Sequence, residues 1–222
     1  MQHGYTNLTT RDGGLVRKTY QGPDALHRAK SERLALRLLA GRIPVPVVVD
    51  GGDTTSLTMQ FVEGEHGQEL IDAGKAEHVL RACGGVLARL HAIDVSTVYP
   101  GTHAKGLVIR HGDFGPNNVL LSSETLEITA VLDWEFSGPG QAIEDLAWCE
   151  WIVRMHHPDV VAAVGVLYDA YGWEPTWSQR HETMIARCLW LQDFSRRWDP
   201  AGAGVREWRD RVAVTAGWTN DQ

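Results

Sequence analysis

Three oxygen-bearing side chains stand out by type and spacing: Asp113 and Asn118 within the run His-Gly-Asp-Phe-Gly-Pro-Asn-Asn that begins at His111, and Asp133 within Val-Leu-Asp-Trp-Glu. A carboxylate beside an accepting hydroxyl, together with two oxygen ligands for magnesium, is what phosphoryl transfer requires, because positioning and charge neutralisation dominate that reaction. Magnesium is a hard cation, often held by one or two protein oxygens plus substrate phosphates. Asn118 and Asp133 suit that role, and Asp113 suits the hydroxyl.

Such a set works only if the chain folds back on itself. Val119 to Leu121 and Glu127 to Leu132 are rich in β-formers, and Ser122, Ser123, Glu124 and Thr125 between them favour a turn. An antiparallel hairpin places Asn118 opposite Asp133, within a residue or two. Asp113 lies on a loop that Gly112, Gly115 and Pro116 keep out of helix and strand. The bland alternative is a polar-ended hairpin above a buried His111, and it leaves the whole spaced set unexplained.

At these residues the chain resembles the aminoglycoside phosphotransferase and choline kinase superfamily, relatives of the protein kinases. The resemblance implies Asp113 as catalytic base, Asn118 and Asp133 as metal ligands, and His111 as a scaffold of the loop. It continues through Gly138, Gly140 and Glu144-Asp145-Leu146-Ala147, where Asp145 is expected as a cap or loop brace. Protein kinases themselves fit less well: no Arg follows His111, no Phe-Gly follows Asp133, and no Ala-Pro-Glu comes after it. The implied fold is α+β and bilobal, protein-kinase-like. Residues 1–62 would form a nucleotide-binding N-lobe, a small antiparallel β-sheet with one helix. Residues 63–222 would form a mostly helical catalytic and substrate-binding C-lobe carrying the catalytic-loop β-hairpin.

Upstream, Gly4-Tyr5-Thr6-Asn7 is similar to the family's nucleotide loop between its first two strands, which places Asn7 at the cofactor. Asp12-Gly13-Gly14 signals a hairpin turn, followed by a strand at Leu15-Val16-Arg17-Lys18-Thr19-Tyr20. One cation on that strand should hold the α and β phosphates and pair with a helix glutamate. Arg17 matches the family's apolar-apolar-cation pattern and Lys18 the usual residue type; adjacent strand residues face opposite ways, so one of the two faces the nucleotide. We assign Lys18 and keep Arg17 as the alternative. Asp24 to Ala40 has helical periodicity, and Gly41, Ile43, Pro44, Val45 and Pro46 after it resemble the family's helix-to-strand junction, which implies Glu32 at the family's ion-pair position rather than a solvated glutamate near Arg28. Strands are expected at Val45 to Val49 and Ser56 to Phe61, joined by Asp50-Gly51-Gly52-Asp53. The main chain of Gln60, Phe61 and Val62 would receive the adenine.

Lys75 to Ala92 reads as the C-lobe's central helix, and its Gly84-Gly85 costs about 1 kcal/mol per glycine relative to alanine, so close packing against another element should compensate. A helix is expected at Ile143 to His156, with further helices over much of Val160 to Thr215. Seven of the nine tryptophans lie from Trp151 onward. Aromatic faces could wall an acceptor pocket, but core packing explains them equally well and is preferred. Adjacent His156 and His157 do not share a helix face and read as surface.

Composition narrows the classes. The formal net charge is −7, yet no Lys or Arg occurs between His111 and Val153, a span holding eight acids. A nucleotide could be held there only with a divalent metal, and an acceptor of neutral or cationic charge would suit the field. Nucleic acid is disfavoured for want of clustered cations. No apolar run reaches membrane-spanning length and the first 30 residues carry no apolar stretch, so neither membrane span nor signal peptide is expected. Three dispersed cysteines favour a reducing cytoplasm over disulfides or zinc. Nothing specifies an oligomeric state. Two functions remain open: an ATP- and Mg²⁺-dependent small-molecule kinase acting on a hydroxyl, aminoglycoside-like or an amino-alcohol or sugar, or a non-catalytic nucleotide-binding scaffold of the same fold.

Overall fold

The computed structural model describes residues 7–49, 53–102 and 104–220. The chain runs β1 (Asn7–Asp12), β2 (Leu15–Tyr20), α1 (Ala25–Leu39), β3 (Ser56–Gln60), β4 (Glu65–His66), α2 (Gly67–Asp72), α3 (Ala76–His91) and β5 (Val108–Arg110). It continues through β6 (Val119–Leu121), β7 (Ile128–Val131), β8 (Gly138–Gly140), α4 (Ala142–His156), α5 (Gly165–Tyr171), α6 (Trp177–Trp198) and α7 (Ala203–Ala216).

Strands β1, β2 and β3 form an antiparallel sheet in that order, with β1 and β2 joined at the Gly13-Gly14 turn. Gly13 has φ 57°, the left-handed geometry that this turn demands and glycine supplies without strain. Helix α1 buries Ala29, Ala35, Leu36 and Leu39. Val45 to Val49 is not a strand. It makes only a single bridge, Val48 to Met59, because Pro44 and Pro46 lack the N–H groups a ladder needs. Asp50, Gly51 and Gly52 of the expected turn lie outside the described residues.

The rest is mostly helical. Helix α3 is amphipathic and fully buries Val79, Leu80, Cys83 and Leu87. The apolar core is continuous from Leu36 and Leu57 through Leu87 to Leu167 and Tyr168, so the sheet-bearing lobe and the helical lobe pack on each other. A Cβ at Gly84 would collide with the Leu167 carbonyl and the Ala170 side chain, so the close-packing expectation holds there. It does not hold for Gly85, where nothing lies within 4 Å. A second cluster joins Trp148, Trp151, Met184 and Cys188, with Trp208 and Trp218 against it. Among the described residues, no helix is long and apolar enough to cross a membrane.

Candidate active site

Two short ladders carry the central loop. Strand β5 pairs with β8, and β6 pairs with β7 in the expected hairpin, with Val119 opposite Val131. The Leu132 N–H donates to the Asn118 carbonyl at 2.8 Å, which brings Asn118 and Asp133 to the same end of the hairpin. Between the ladders, the loop is clamped by Asp145, fully buried in α4. Its carboxylate accepts from the His111 N–H at 2.7 Å, the Gly112 N–H at 2.8 Å and the His91 ring at 3.1 Å. Burial alone would raise the Asp145 carboxyl, but the His91 hydrogen bond and charge hold it below the ordinary range. Asp145 is thus a loop brace, while Gln141 and Glu144 form the capping box of α4.

His111 is completely buried. The Asp113 N–H donates to its Nδ1 at 3.2 Å, so Nε2 carries the proton and donates to the Leu132 carbonyl at 2.8 Å. Burial pushes its pKa below the usual value, keeping the ring neutral. Gly112, at φ 85°, lies so close to the Phe136 carbonyl that a Cβ would collide with it. Asp113 follows. The Asn118 amide donates to its carbonyl at 2.7 Å and to its Oδ2 at 3.2 Å, while the Trp148 indole donates to Oδ1 at 2.8 Å.

Asp133 adopts the left-handed region at φ 62°, a conformation costly for a non-glycine residue and concentrated at functional sites. Lys18, only 4% exposed, reaches its Oδ1 at 2.7 Å and the Glu32 carboxylate at 2.7 Å, with Glu135 at 3.7 Å. Burial alone would lower the Lys18 pKa, but those three carboxylates raise it, so the ammonium is firmly charged. The same contact holds Asp133 below the usual carboxylate range despite its desolvation. Arg17 points the other way, toward Ser56 Oγ at 3.2 Å and Asp53 at 3.7 Å, on an exposed face.

The remaining expected positions differ. Asn7 opens β1, so the Gly4–Asn7 segment leads into the first described strand rather than lying between two described strands; Gly4, Tyr5 and Thr6 are outside the described residues. The Asn7 amide donates to Glu135 at 2.8 Å and accepts from Arg28 at 3.2 Å, joining an internal network. At the lobe connection, the Gln60 and Phe61 N–H groups donate to Val47 and Gly14 carbonyls, each at 2.8 Å, and only the Val62 N–H lacks a partner among the described residues. His157 is buried rather than on the surface and meets Asp72 at 3.0 Å.

The acidic span is largely neutralised from elsewhere in the chain. Arg28 meets Glu135 at 2.9 Å, Arg110 meets Glu144 at 2.5 Å, and Glu150 meets Arg154 at 2.7 Å and Arg180 at 3.2 Å. Counting charges along the sequence therefore overstates the field. Glu135, Arg28 and Arg187 had no sequence signal; for Trp148, its place directly after Asp145-Leu146-Ala147 was the one available hint. The tryptophans divide: Trp148 and Trp151 stack 4.3 Å apart in the core, while Trp173 and Trp190 line a cavity of about 870 Å³ beside Gly112.

Asn118 and Asp133 fit a magnesium ion chemically. The Asn118 nitrogen is committed to Asp113, which leaves Oδ1 as its ligating atom, and the Asp133 side chain is 46% exposed. Both are hard oxygen donors, and a two-ligand set depends on substrate phosphates to complete the shell.

Several solved structures share this architecture. The chain superposes on the GDP and kanamycin complex of APH(2")-IIia with TM-score 0.75 at 11% identity, covering 97% of this chain and 91% of that one. Macrolide 2'-phosphotransferase MphH from Brachybacterium faecium gives TM-score 0.62 at 20% identity, with 99% and 95% covered. A choline/ethanolamine kinase family protein from Mesorhizobium loti gives 0.66 at 16%, with 99% and 87% covered. No curated protein sequence matches. These likenesses establish the protein-kinase-like phosphotransferase fold. The sequence model of the phosphotransferase enzyme family matches residues 2–105 and 100–182, and the chain belongs to that family.

Proposed function

We propose that the protein transfers the γ-phosphate of ATP to a hydroxyl of a small molecule, neutral or cationic overall, such as an aminoglycoside-like compound, an amino-alcohol or a sugar. The reading gives the nucleotide to a cleft between a small lobe at residues 1–62 and a larger one at 63–222. It rests above all on Asp113, a carboxylate with one donor on each oxygen, standing on a loop braced by Asp145. Asp113 accepts the proton of the attacking hydroxyl and orients it. Trp148 and Asn118 prevent that carboxylate from rotating. Lys18, tied to Glu32, offers its ammonium to phosphate oxygens, a choice over Arg17 supported by the outward direction of Arg17. Val62, with Phe61 and Gln60 beside it, lines the adenine site. Asn118 and Asp133 hold magnesium, which when bound neutralises charge on the phosphates. Three buried free thiols support a cytoplasmic setting.

The test is ADP formation across a panel of amino-alcohols, sugars and aminoglycosides, for the native protein and Asp113→Asn, with a Mg·ATP thermal shift on both. Acceptor-dependent turnover should fall about 10²- to 10⁴-fold in the variant, with the shift preserved. Undiminished turnover removes Asp113 from the reaction. A thermal shift without any turnover by the native protein replaces the kinase reading with a nucleotide-binding scaffold.

A further inference from the structure

The cavity beside Gly112 runs between the start of α1, the Phe136–Pro139 segment and α6. Most charged groups on its wall are answered within the protein. Arg28 pairs with Glu135, Arg110 with Glu144, and Asp24 with Arg197 at 2.6 Å. Glu182 is exposed and accepts from Ser178 Oγ at 2.9 Å. Arg187 differs. Its Nε and Nη2 are buried without a hydrogen-bond partner, and it forms no ion pair among the described residues.

Arg187 is instead surrounded by ring faces: its guanidinium lies 4.3 Å from the Trp190 centroid, 5.3 Å from Phe136 and 5.6 Å from Trp148. Aromatic faces attract the charge but accept none of the in-plane N–H bonds. A buried guanidinium with unmet donors is costly, and the missing group is an oxyanion presenting two acceptors, which the planar fork binds side by side. The neighbouring carboxylates cannot serve: Asp113 is held by Trp148 and Asn118, Asp145 by the loop amides and His91, and Glu144 by Arg110. Burial lowers the Arg187 pKa to about 10, with Asp113 the foremost charge opposing that fall, so the group remains cationic at neutral pH.

We propose that Arg187 is a specificity-determining residue that binds a carboxylate or equivalent oxyanion on the acceptor, so that the substrate is a hydroxy amino acid whose hydroxyl is delivered to Asp113. This rests on the phosphotransferase reading above and narrows it. Trp148 is the physical link: one side of its indole faces Arg187, and its N–H holds Asp113. Trp148 thus touches both the guanidinium that would clamp the ligand and the carboxylate that would receive its hydroxyl. An acceptor carrying both an ammonium and a carboxylate keeps the overall neutrality expected above.

The test compares hydroxy amino acids with their own carboxamides as acceptors, using native protein, Arg187→Gln and Arg187→Lys, with a Mg·ATP thermal shift as a check on folding. The acid should be preferred in the native protein. In Arg187→Gln the KM for the acid should rise about 10- to 100-fold, as expected for loss of charge-assisted bonds, with the KM for ATP unchanged and the preference over the amide abolished. Arg187→Lys should recover part of it. Equal use of acid and amide, turnover confined to uncharged or cationic acceptors, or no acid used while Mg·ATP binds would each overturn the proposal. A rise in the KM for ATP alone would assign the guanidinium to the nucleotide's phosphates instead. Absence of both turnover and the Mg·ATP shift in the native protein would defeat the kinase reading itself, and the acceptor assignment with it.

Discussion

The indole N–H of Trp148 donates to Oδ1 of Asp113 at 2.8 Å, across 35 residues of sequence. Helix α4 thus braces the loop twice, by Asp145 at its backbone and by Trp148 at the Asp113 side chain. Bonds to a charged acceptor contribute about 1.5–3 kcal/mol, so Trp148→Phe, which keeps most of the stacking on Trp151, should lower kcat about 10- to 100-fold. Steady-state kinetics should find the KM for ATP unchanged. An unaltered kcat would reduce Trp148 to a packing residue.

The two cations of β2 should separate cleanly. Removing Lys18 leaves the buried Glu32 charge without its cation and, among the described residues, with only the Tyr20 hydroxyl as donor, and breaking such a pair costs about 3–5 kcal/mol. Lys18→Met should therefore unfold at much lower urea and lose the Mg·ATP thermal shift. Adding Glu32→Gln to Lys18→Met should restore part of the stability but not the shift. Arg17→Ala, whose side chain is 54% exposed, should change stability by no more than about 0.5 kcal/mol and leave nucleotide binding intact.

Acid should loosen the catalytic loop through His111. Burial lowers the ring's pKa in the folded protein below its unfolded value near 6.5. The unfolded chain therefore binds the extra proton first, and stability rises with pH through the window just below about 6.5. This contribution is fully present above that window and is lost as pH falls through it. Melting temperatures from pH 7.5 down to 5 should decline for the native protein and decline less steeply for His111→Asn, whatever that variant's absolute stability. Parallel slopes would place the titration elsewhere.

Neighbouring glycines in α3 should respond in opposite directions. A Cβ at position 84 meets the Leu167 carbonyl, a backbone atom that cannot rotate away, so Gly84→Ala should destabilise by about 1–3 kcal/mol. Position 85 is open, and Gly85→Ala should stabilise by up to about 1 kcal/mol through helix propensity. Paired denaturation curves decide this.

What could be read along the chain was local. The loop from His111 to Asn118, the hairpin that returns Asp133 to it, and helix α3 depend on turn chemistry, glycine conformation and periodicities shorter than about seven residues, all properties of neighbouring residues. The strand expected at Val45 failed for a reason equally local, the two prolines. Direction and pairing were another matter. Alternation along β2 allows either Arg17 or Lys18 to face inward, and only the seating of that strand between β1 and β3, with Glu32 above it, selected Lys18. The acid-rich span had looked strongly negative, but Lys18, Arg28 and Arg110 arrive from other elements to neutralise three of its carboxylates. The unmatched guanidinium of Arg187 emerges only when those pairings are complete. Electrostatic interactions act through space and fall with distance rather than with sequence separation, so which charges cancel and which remain is decided by the fold.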